Sequence, residues 1–381
     1  MSYKAVVITK PGGYSVLAVQ PRPIMEPGHG EVRVRVMAAG LNFAEVSARM
    51  GIYPDAPPTP SVVGYEVAGI IDACGEDVDD SWHVGQRVIC FCKFGGHAEM
   101  VVVPSGNLWA LPEVLSFEEG AAVPVNFLTA YHMLYGIGVI RPKSVILVHM
   151  AAGGVGTAAI QLIRAKCPDA YVYGTASASK HAFLKELGYD CLVDYRKEDY
   201  QSVIRELEWS RRNLGTVADN KKRVSTFQCI DVVLDALGGD DWRKGAELLK
   251  PIGRIVMFGF ANGSSGATRS YFTLLRQYMR IPKWSSLAML DNNMTVQGVN
   301  MGHLFGDEEM SFMRTEMSEV MGLLSEKKVR PILSAYFGFE QAGEAHRFMQ
   351  ERKNIGKVLL IPLGRETELR ATNSWLEGKE P

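Results

Sequence analysis

The clearest chemical signal in the chain is a glycine run set between an apolar stretch and an amphipathic one, VILVHMAAGGVGTAAIQLIRAK at Val145–Lys166. A buried strand, a tight turn and a helix in that order leave the first N–H groups of the helix without backbone partners. They also place the positive end of the helix dipole at the turn, which suits a pyrophosphate. Gly153 and Gly154 let the backbone approach the phosphates, Val155 follows in the helix start, and Gly156 lets the helix pack tightly on the strand. A glycine turn alone is often only a loop. Its place between strand and helix, with further strand–helix units downstream, makes it a dinucleotide cradle.

The next strand selects among dinucleotides. NAD sites carry an acidic residue at its end to hold the ribose 2′-hydroxyl. Here the segment Val172–Ser177, which contains Gly174, ends without a carboxylate. Ser177 and Lys180 follow, and Tyr195 and Arg196 lie beyond the third strand. These donors and positive charges suit a 2′-phosphate, so NADPH is the expected cofactor; the alternative is that Lys180 and Arg196 are solvated surface cations. Asp235 and Gly238 end a fourth strand and Gly259 a fifth, and the carboxyl ends of parallel strands line the ligand crevice. Asp235 has a second reading, as a cap for the helix that follows.

These residues need a scaffold, and the sequence supplies two textures. Up to about residue 125, short β-branched runs (Tyr3–Thr9, Glu31–Ala38, Glu66–Cys74, Arg87–Cys92, Glu99–Val103) alternate with Gly and Pro, which predicts an irregular, mostly antiparallel β-domain. After Val123 strands and helices alternate, from Ser144–Met150 to a last strand at Met294–Val299, which predicts a doubly wound parallel sheet of the Rossmann type. Glu208–Gln228, with its basic run Lys221–Arg223, breaks this rhythm and reads as a surface insertion. The polar residues from about Arg365 read as a frayed end.

Bulk properties narrow the class. A length of 381 residues favours two domains, and 47% apolar content supplies their cores. A formal net charge of −1 gives no general attraction to nucleic acid. Six scattered cysteines form no disulfide framework, and the N-terminal MSYKAVVITKPGG reads as a strand rather than a signal peptide, so a reducing, cytoplasmic setting is expected. Ser144–Ile163 is uncharged and long enough to span a bilayer, but His149, Gln161 and the glycine turn argue for strand, turn and helix instead.

The segments AGLNFAEVSARMGIYP (Ala39–Pro54), VGYEVAGII (Val63–Ile71), VGQRV (Val84–Val88), AAVPVNFLTAYHML (Ala121–Leu134), AAGGVG (Ala151–Gly156) and NIGKVLL (Asn354–Leu360) run in family order along nearly the whole chain. In them the chain resembles the zinc-free medium-chain dehydrogenase/reductases of the quinone oxidoreductase type. HMAAGGVG, GTASASKH (Gly174–His181) and DYRKEDY (Asp194–Tyr200) are most similar to the vesicle amine transport protein-1 homologues within it. Met150, where many quinone oxidoreductases have the first glycine of the turn, matches that subfamily. The resemblance implies a GroES-like catalytic domain folded from both ends of the chain, residues 1–126 and 301–381 with the tail, around an NADPH-binding domain at 127–300. It also implies homodimers through the last Rossmann strand.

Zinc-dependent relatives use an early cysteine and a Gly-His-Glu segment for their catalytic metal. Asn42 and Gly64–Tyr65–Glu66 stand there instead, neither Asn nor Tyr is a good zinc ligand, and Cys90 and Cys92 have no second pair, so no metal site is expected. Without a Lewis acid, a quinone or α,β-unsaturated carbonyl is the fitting hydride acceptor, since conjugation spreads the incoming charge. Tyr53 is the candidate hydrogen-bond donor to the acceptor oxygen, with Asn42 beside the nicotinamide or substrate and Thr129 near the nicotinamide face. The bland reading of Tyr53 is a packing residue in a loop.

Between Leu248 and Leu290 there are six Lys or Arg residues and no acid, and Tyr271, Phe272, Tyr278 and Trp284 are interleaved with Leu274, Leu275 and Met279. Such a stretch can lie on an anionic membrane through Arg276, Arg280 and Lys283, or form a wall of the substrate cleft with solvated cations. The subfamily's association with vesicle and mitochondrial membranes makes a peripheral location there an expectation to weigh. The sequence thus carries two functional hypotheses: an NADPH-dependent quinone or enone reductase, and a membrane-surface adaptor that keeps the nucleotide fold with little turnover.

Overall fold

The computed structural model describes residues 2–264, 266–304, 307–362 and 364. The polar end from about Arg365 lies outside the described residues. The chain divides into two compact units. One takes in the chain through Leu128, Ser264–Arg269 and the part from Met301; the other comprises Thr129–Gly263 and Ser270–Asn300.

The first unit is built around the strand Glu31–Leu41. Its alternation puts Val32, Val34 and Val36 in the core while Arg33 and Arg35 face away from it. Glu66–Cys74 pairs antiparallel along one side, and Met100–Pro104 and the late strand Lys357–Ile361 pair antiparallel along the other. A seven-stranded sheet results among the described residues, closed from the far end of the chain by Leu333–Gly338 on Lys357–Ile361. A smaller sheet sets Ser2–Ile8 between Leu17–Pro23 and Ser61–Val62. Helix Phe43–Met50 follows the central strand directly. Glu45 in its first turn accepts from the N–H of Asn42 (3.0 Å), and Gly51, left-handed at φ 72°, ends it.

The second unit is a six-stranded parallel sheet in the order Cys191–Asp194, Tyr171–Ala176, Val145–Val148, Ile230–Asp235, Leu249–Met257, Thr295–Gly298. Val145–Val148 is buried on both faces, which is why its sequence is a continuous apolar run. The helix after it, Gly154–Lys166, closes with Arg164 and Lys166 in its last turn, where cations suit the dipole. This is the Rossmann-type sheet expected from the alternation of strands and helices.

The reading of Glu208–Gln228 as a surface insertion is corrected in part. Helix Tyr200–Arg211 runs into it, and a short helix, Lys221–Ser225, follows. Glu208 and Trp209 are buried: Glu208 accepts from the Tyr173 hydroxyl at 2.9 Å and is gripped by Arg211 and Arg212, while the Trp209 indole N–H donates to the Gly215 carbonyl at 3.0 Å. One buried carboxylate and one buried indole thus anchor the start of a segment whose sequence is otherwise polar. The basic segment folds as two helices, Tyr271–Met279 and Ser286–Asp291, with no buried residue in either. No helix among the described residues is long and apolar enough to cross a membrane.

Candidate functional site

In the nucleotide-binding unit the glycine run does what its sequence demands. Gly153 is extended (φ −74°, ψ 171°) and caps Gly154–Lys166 without any side chain bonding to the first turn, so the N–H groups there remain available. Gly153, Gly154 and Val155 are half-buried and Gly156 is buried. A side chain at Gly156 would lie 2.5 Å from the Ala151 carbonyl oxygen, so only glycine lets turn and helix meet. Gly174 on the next strand makes the same allowance: a Cβ there would be 2.9 Å from that of Ala151. Met150 opens the turn in the left-handed region at φ 53°, a conformation glycine adopts freely and methionine only at a cost.

Tyr171–Ala176 ends in buried Ser177, and Lys180 lies half-buried in the 3₁₀ turn Ala178–Lys180. Ala176 pairs with Asp194, so Tyr195 and Arg196 emerge beside that turn. The segment Ser177–Lys180 carries no carboxylate. Asp235 is completely buried, and its Oδ1 accepts from the N–H groups of Leu237 (2.6 Å) and Gly238 (3.1 Å). It therefore shapes the loop after its strand; the cap position of the next helix is Gly239. Gly238 and Gly239 are left-handed at φ 81° and 65°, and a Cβ at Gly259 would lie 2.8 Å from the Ala236 carbonyl oxygen. Thr129 is buried and its hydroxyl has no hydrogen-bond partner.

Sequence reasoning missed the partners of Asp235. His149 directly precedes the turn; its Nδ1 lies 3.0 Å from the Thr175 hydroxyl and its Nε2 is 3.8 Å from Asp235 Oδ2. The Tyr200 ring packs edge-on against the imidazole, with centroids 4.7 Å apart. Burial raises the Asp235 carboxyl above its ordinary value, with His149 and the two backbone N–H groups pulling the other way.

The catalytic candidates of the first unit lie in a second polar cluster. The Lys357 ammonium donates to the Asn42 side-chain oxygen (2.6 Å), to Glu66 and, at 3.5 Å, to Asn126. The Asn42 amide donates to Glu66 at 3.0 Å and to Glu45 at 3.4 Å, while the other Glu66 oxygen accepts from the Val125 N–H at 2.7 Å. Asn42 is thus committed to the cluster through both ends of its amide. Burial pushes the Glu45 carboxyl up to about 7 and holds the neighbouring His97 imidazole down to about 4. Tyr53 reaches this cluster through Tyr65. Its half-buried ring stands edge-on to Tyr65 at 6.2 Å, and the Tyr65 N–H donates to Glu45 at 3.3 Å. Burial raises the Tyr65 hydroxyl pKa first, with Tyr53 and nearby carboxylates adding to it. Lys357, Glu66, Glu45 and Asn126 had one legible signal, charged or amide side chains inside otherwise apolar runs such as GYEVAG and IGKVLL.

The positive charge at the centre of this oxygen cluster is an ammonium. Among the described residues no three of His, Cys, Asp and Glu come together as metal ligands would. Cys90 and Cys92 are buried free thiols whose pKa values burial raises.

Comparison with known proteins places the fold in a family. Residues 28–113 match the alcohol dehydrogenase GroES-like domain and residues 187–360 the zinc-binding dehydrogenase domain. The synaptic vesicle membrane protein VAT-1 homolog of Rattus norvegicus is 40% identical over 94% of this chain and 84% of its own length. The chain belongs to the medium-chain dehydrogenase/reductase family, on its VAT-1 branch. Among solved members of the family, the human VAT-1 homolog-like protein superposes with a TM-score of 0.76 at 31% identity, over 95% of this chain and 98% of that one. A quinone oxidoreductase of Escherichia coli, solved in complex with NADPH, gives 0.76 at 26% identity, over 94% and 100%. The family is one of oxidoreductases, and its GroES-like and Rossmann-type halves correspond to the antiparallel and parallel sheets described above.

Proposed function

We propose that this chain is an NADPH-dependent reductase that passes hydride, without zinc, to a quinone or an α,β-unsaturated carbonyl compound. The observation that carries the reading is the uncapped start of helix Gly154–Lys166, reached by a turn too tight for any side chain at Gly156 and flanked by Ser177 and Lys180 in place of a carboxylate. Free N–H groups would hold the pyrophosphate, and Ser177, Lys180 and Tyr195 the 2′-phosphate. The unpartnered Thr129 hydroxyl is available to the nicotinamide amide. Bound NADPH supplies the hydride. The protein's task is then to position a conjugated acceptor and stabilise charge on its oxygen, which we assign to Tyr53, and Asn42, held rigid by Lys357 and Glu66, we place beside the nicotinamide or substrate. The Escherichia coli relative, a quinone oxidoreductase holding NADPH, agrees with this choice of chemistry. Pairing of the outer edge of Thr295–Gly298 in a homodimer belongs to the same proposal.

The test is NADPH consumption, followed by loss of its near-ultraviolet absorbance, with a panel of quinones and enones. Turnover with at least one acceptor is expected, together with a loss of NADPH affinity of about tenfold or more in Lys180→Glu from removal of a phosphate contact. Tight NADPH binding without turnover on any acceptor would contradict the reductase.

One observation favours a second reading. Helices Tyr271–Met279 and Ser286–Asp291 leave Phe272 76% and Tyr278 71% exposed, beside Arg276, Arg280 and Lys283. Aromatic and basic side chains presented together suit an anionic membrane surface, and the VAT-1 relatives are named as vesicle membrane proteins. Sedimentation with phosphatidylserine vesicles should be lost when Arg276, Arg280 and Lys283 are changed to Glu; equal sedimentation of both proteins removes this reading and leaves the reductase untouched.

A further inference from the structure

The first unit holds a buried hydroxyl that packing does not require. Tyr65 is 6% exposed, and its hydroxyl is shut off from solvent without a partner at full hydrogen-bond geometry. Buried polar groups are ordinarily paired, and a phenylalanine would fill the same space without stranding a hydroxyl. The backbone that carries the ring is fastened on both sides. The Tyr65 N–H donates to Glu45 at 3.3 Å, its carbonyl accepts from Cys92 at 2.6 Å, and the Gly64 carbonyl accepts from Gly96 at 3.1 Å. Gly64 is left-handed at φ 112°, and a Cβ there would lie 2.5 Å from the His97 nitrogen, so the turn that sets the ring is closely packed. Two rings meet Tyr65: Tyr53 edge-on at 6.2 Å and Phe94 tilted at 5.4 Å. Both of these also rest on the apolar cluster of Ile8, Val16, Ala48 and Val63. Three polar side chains act on the Tyr65 hydroxyl: Tyr53, Glu45 and Asp55. Glu45 is spent on the Tyr65 N–H and on Asn42, and Asp55 lies 3.0 Å from His303 Nε2. The Tyr53 hydroxyl is the group of the three placed to bond it, at the edge of hydrogen-bonding geometry.

We propose that Tyr65 is a positioning residue for Tyr53: its hydroxyl donates to the Tyr53 oxygen and so fixes the direction in which Tyr53 offers its own proton to the acceptor oxygen. This inference rests on the reductase reading, in which Tyr53 is the donor to that oxygen. Burial, with Tyr53 and the two carboxylates adding to it, keeps the proton on Tyr65. Tyr65 therefore donates and Tyr53 accepts. A hydroxyl that accepts one hydrogen bond is a stronger donor in the next, most of all where water is excluded. The hydride and its electron pair come from NADPH to the conjugated acceptor. Tyr53 keeps its proton and stabilises the charged oxygen by a hydrogen bond, and the proton that completes the reduction is drawn from water.

The test is the single-turnover rate of NADPH oxidation on the full chain, with a quinone or enone that the wild type reduces. It is measured for the wild type, Tyr53→Phe, Tyr65→Phe and the double variant. Tyr53→Phe removes the donor and should slow the step by about 100-fold. Tyr65→Phe should slow it by about tenfold, with acceptor KM and NADPH affinity within about twofold of the wild type. Its urea midpoint should not fall, since the change removes only an unpaired hydroxyl. On the Tyr53→Phe background the same change should cost less than about twofold, because the Tyr65 hydroxyl then has nothing to orient. A Tyr65 that merely supported the fold would slow both backgrounds alike or lower the midpoint. An unslowed Tyr65→Phe, an unslowed Tyr53→Phe, or a tenfold loss that persists in the double variant overturns the inference and leaves the reductase reading standing. Absence of turnover by the wild type with every quinone and enone overturns both.

Discussion

The two units each bury a polar cluster, and the clusters differ in how completely they are satisfied. Around Lys357 in the first unit, Asn42, Glu66 and Asn126 close on one ammonium, and both Glu66 oxygens have partners. Around His149 in the second, an imidazole nitrogen and a carboxylate oxygen lack partners, as does the nearby-in-sequence Thr129 hydroxyl in the same unit. The ammonium, both Glu66 oxygens and both ends of the Asn42 amide are paired, which fixes Asn42 in one arrangement, while at the edge of the cluster His97 Nδ1 has no partner. An under-satisfied cluster holds hydrogen-bonding capacity in reserve, which is expected of a site completed by a ligand. The contrast separates a part of the molecule that is finished by folding from one that we propose is finished by NADPH.

The largest effect should come from breaking the Lys357 cluster. Lys357→Ala strips the buried Glu66 carboxylate of its cation, and loss of one partner from a buried ion pair costs about 3–5 kcal/mol. Urea denaturation should show a loss of that size; a loss below about 1 kcal/mol would mean that the ammonium does not organise the cluster.

A smaller effect should appear in the pH dependence of the same cluster. Burial raises the Glu45 carboxyl from an ordinary 4.5 to about 7, so across that interval the folded protein keeps a proton that the unfolded chain releases. Its contribution to stability therefore falls as pH climbs through the interval. His97 acts in the opposite sense: burial lowers it from 6.5 to about 4, so the unfolded chain binds the extra proton there and stability rises with pH. Glu45→Gln removes the first contribution and leaves the second. Relative to wild type, the variant should gain about 1–3 kcal/mol between mildly acidic and neutral pH. Denaturation midpoints at stepped pH check this, and parallel profiles would place the Glu45 charge outside the cluster's energetics.

The smallest predicted effect sharpens the picture of the nucleotide turn. Met150→Gly relieves a left-handed backbone at φ 53°. After the extra entropy of the unfolded glycine is allowed for, it should stabilise the apo protein by about 0.5–1 kcal/mol. A thermal melt showing destabilisation instead would mean that packing of the methionine side chain outweighs the strain.

Much of this was legible in the sequence because it is local. The apolar run Val145–Val148, the glycines after it and the missing carboxylate before Lys180 all lie within about three dozen consecutive residues, and strand and helix periods gave both fold textures. The polar clusters were not legible, because their members meet only through sheet pairing. Lys357 lies 315 residues from Asn42 and reaches it because Lys357–Ile361 pairs with Glu31–Leu41. His149, Thr175 and Asp235 come from three adjacent strands of a parallel sheet and share no spacing. Glu208 was misread for a related reason: its polar surroundings in sequence hide the Tyr173 hydroxyl and the two arginines that allow its burial. Asn42, chosen from the sequence as a residue beside the nicotinamide or substrate, spends its amide on Lys357, Glu66 and Glu45, which sequence alone could not foresee.

The most direct test of the contrast between the two clusters is amide hydrogen exchange on the whole chain with and without saturating NADPH. The account predicts slowed exchange in the glycine turn at Ala151–Gly156, at Ser177–Lys180 and in the 236–239 loop, with little change around Asn42, Glu66 and Lys357. No protection in those three segments, or protection confined to the Lys357 cluster, would contradict it.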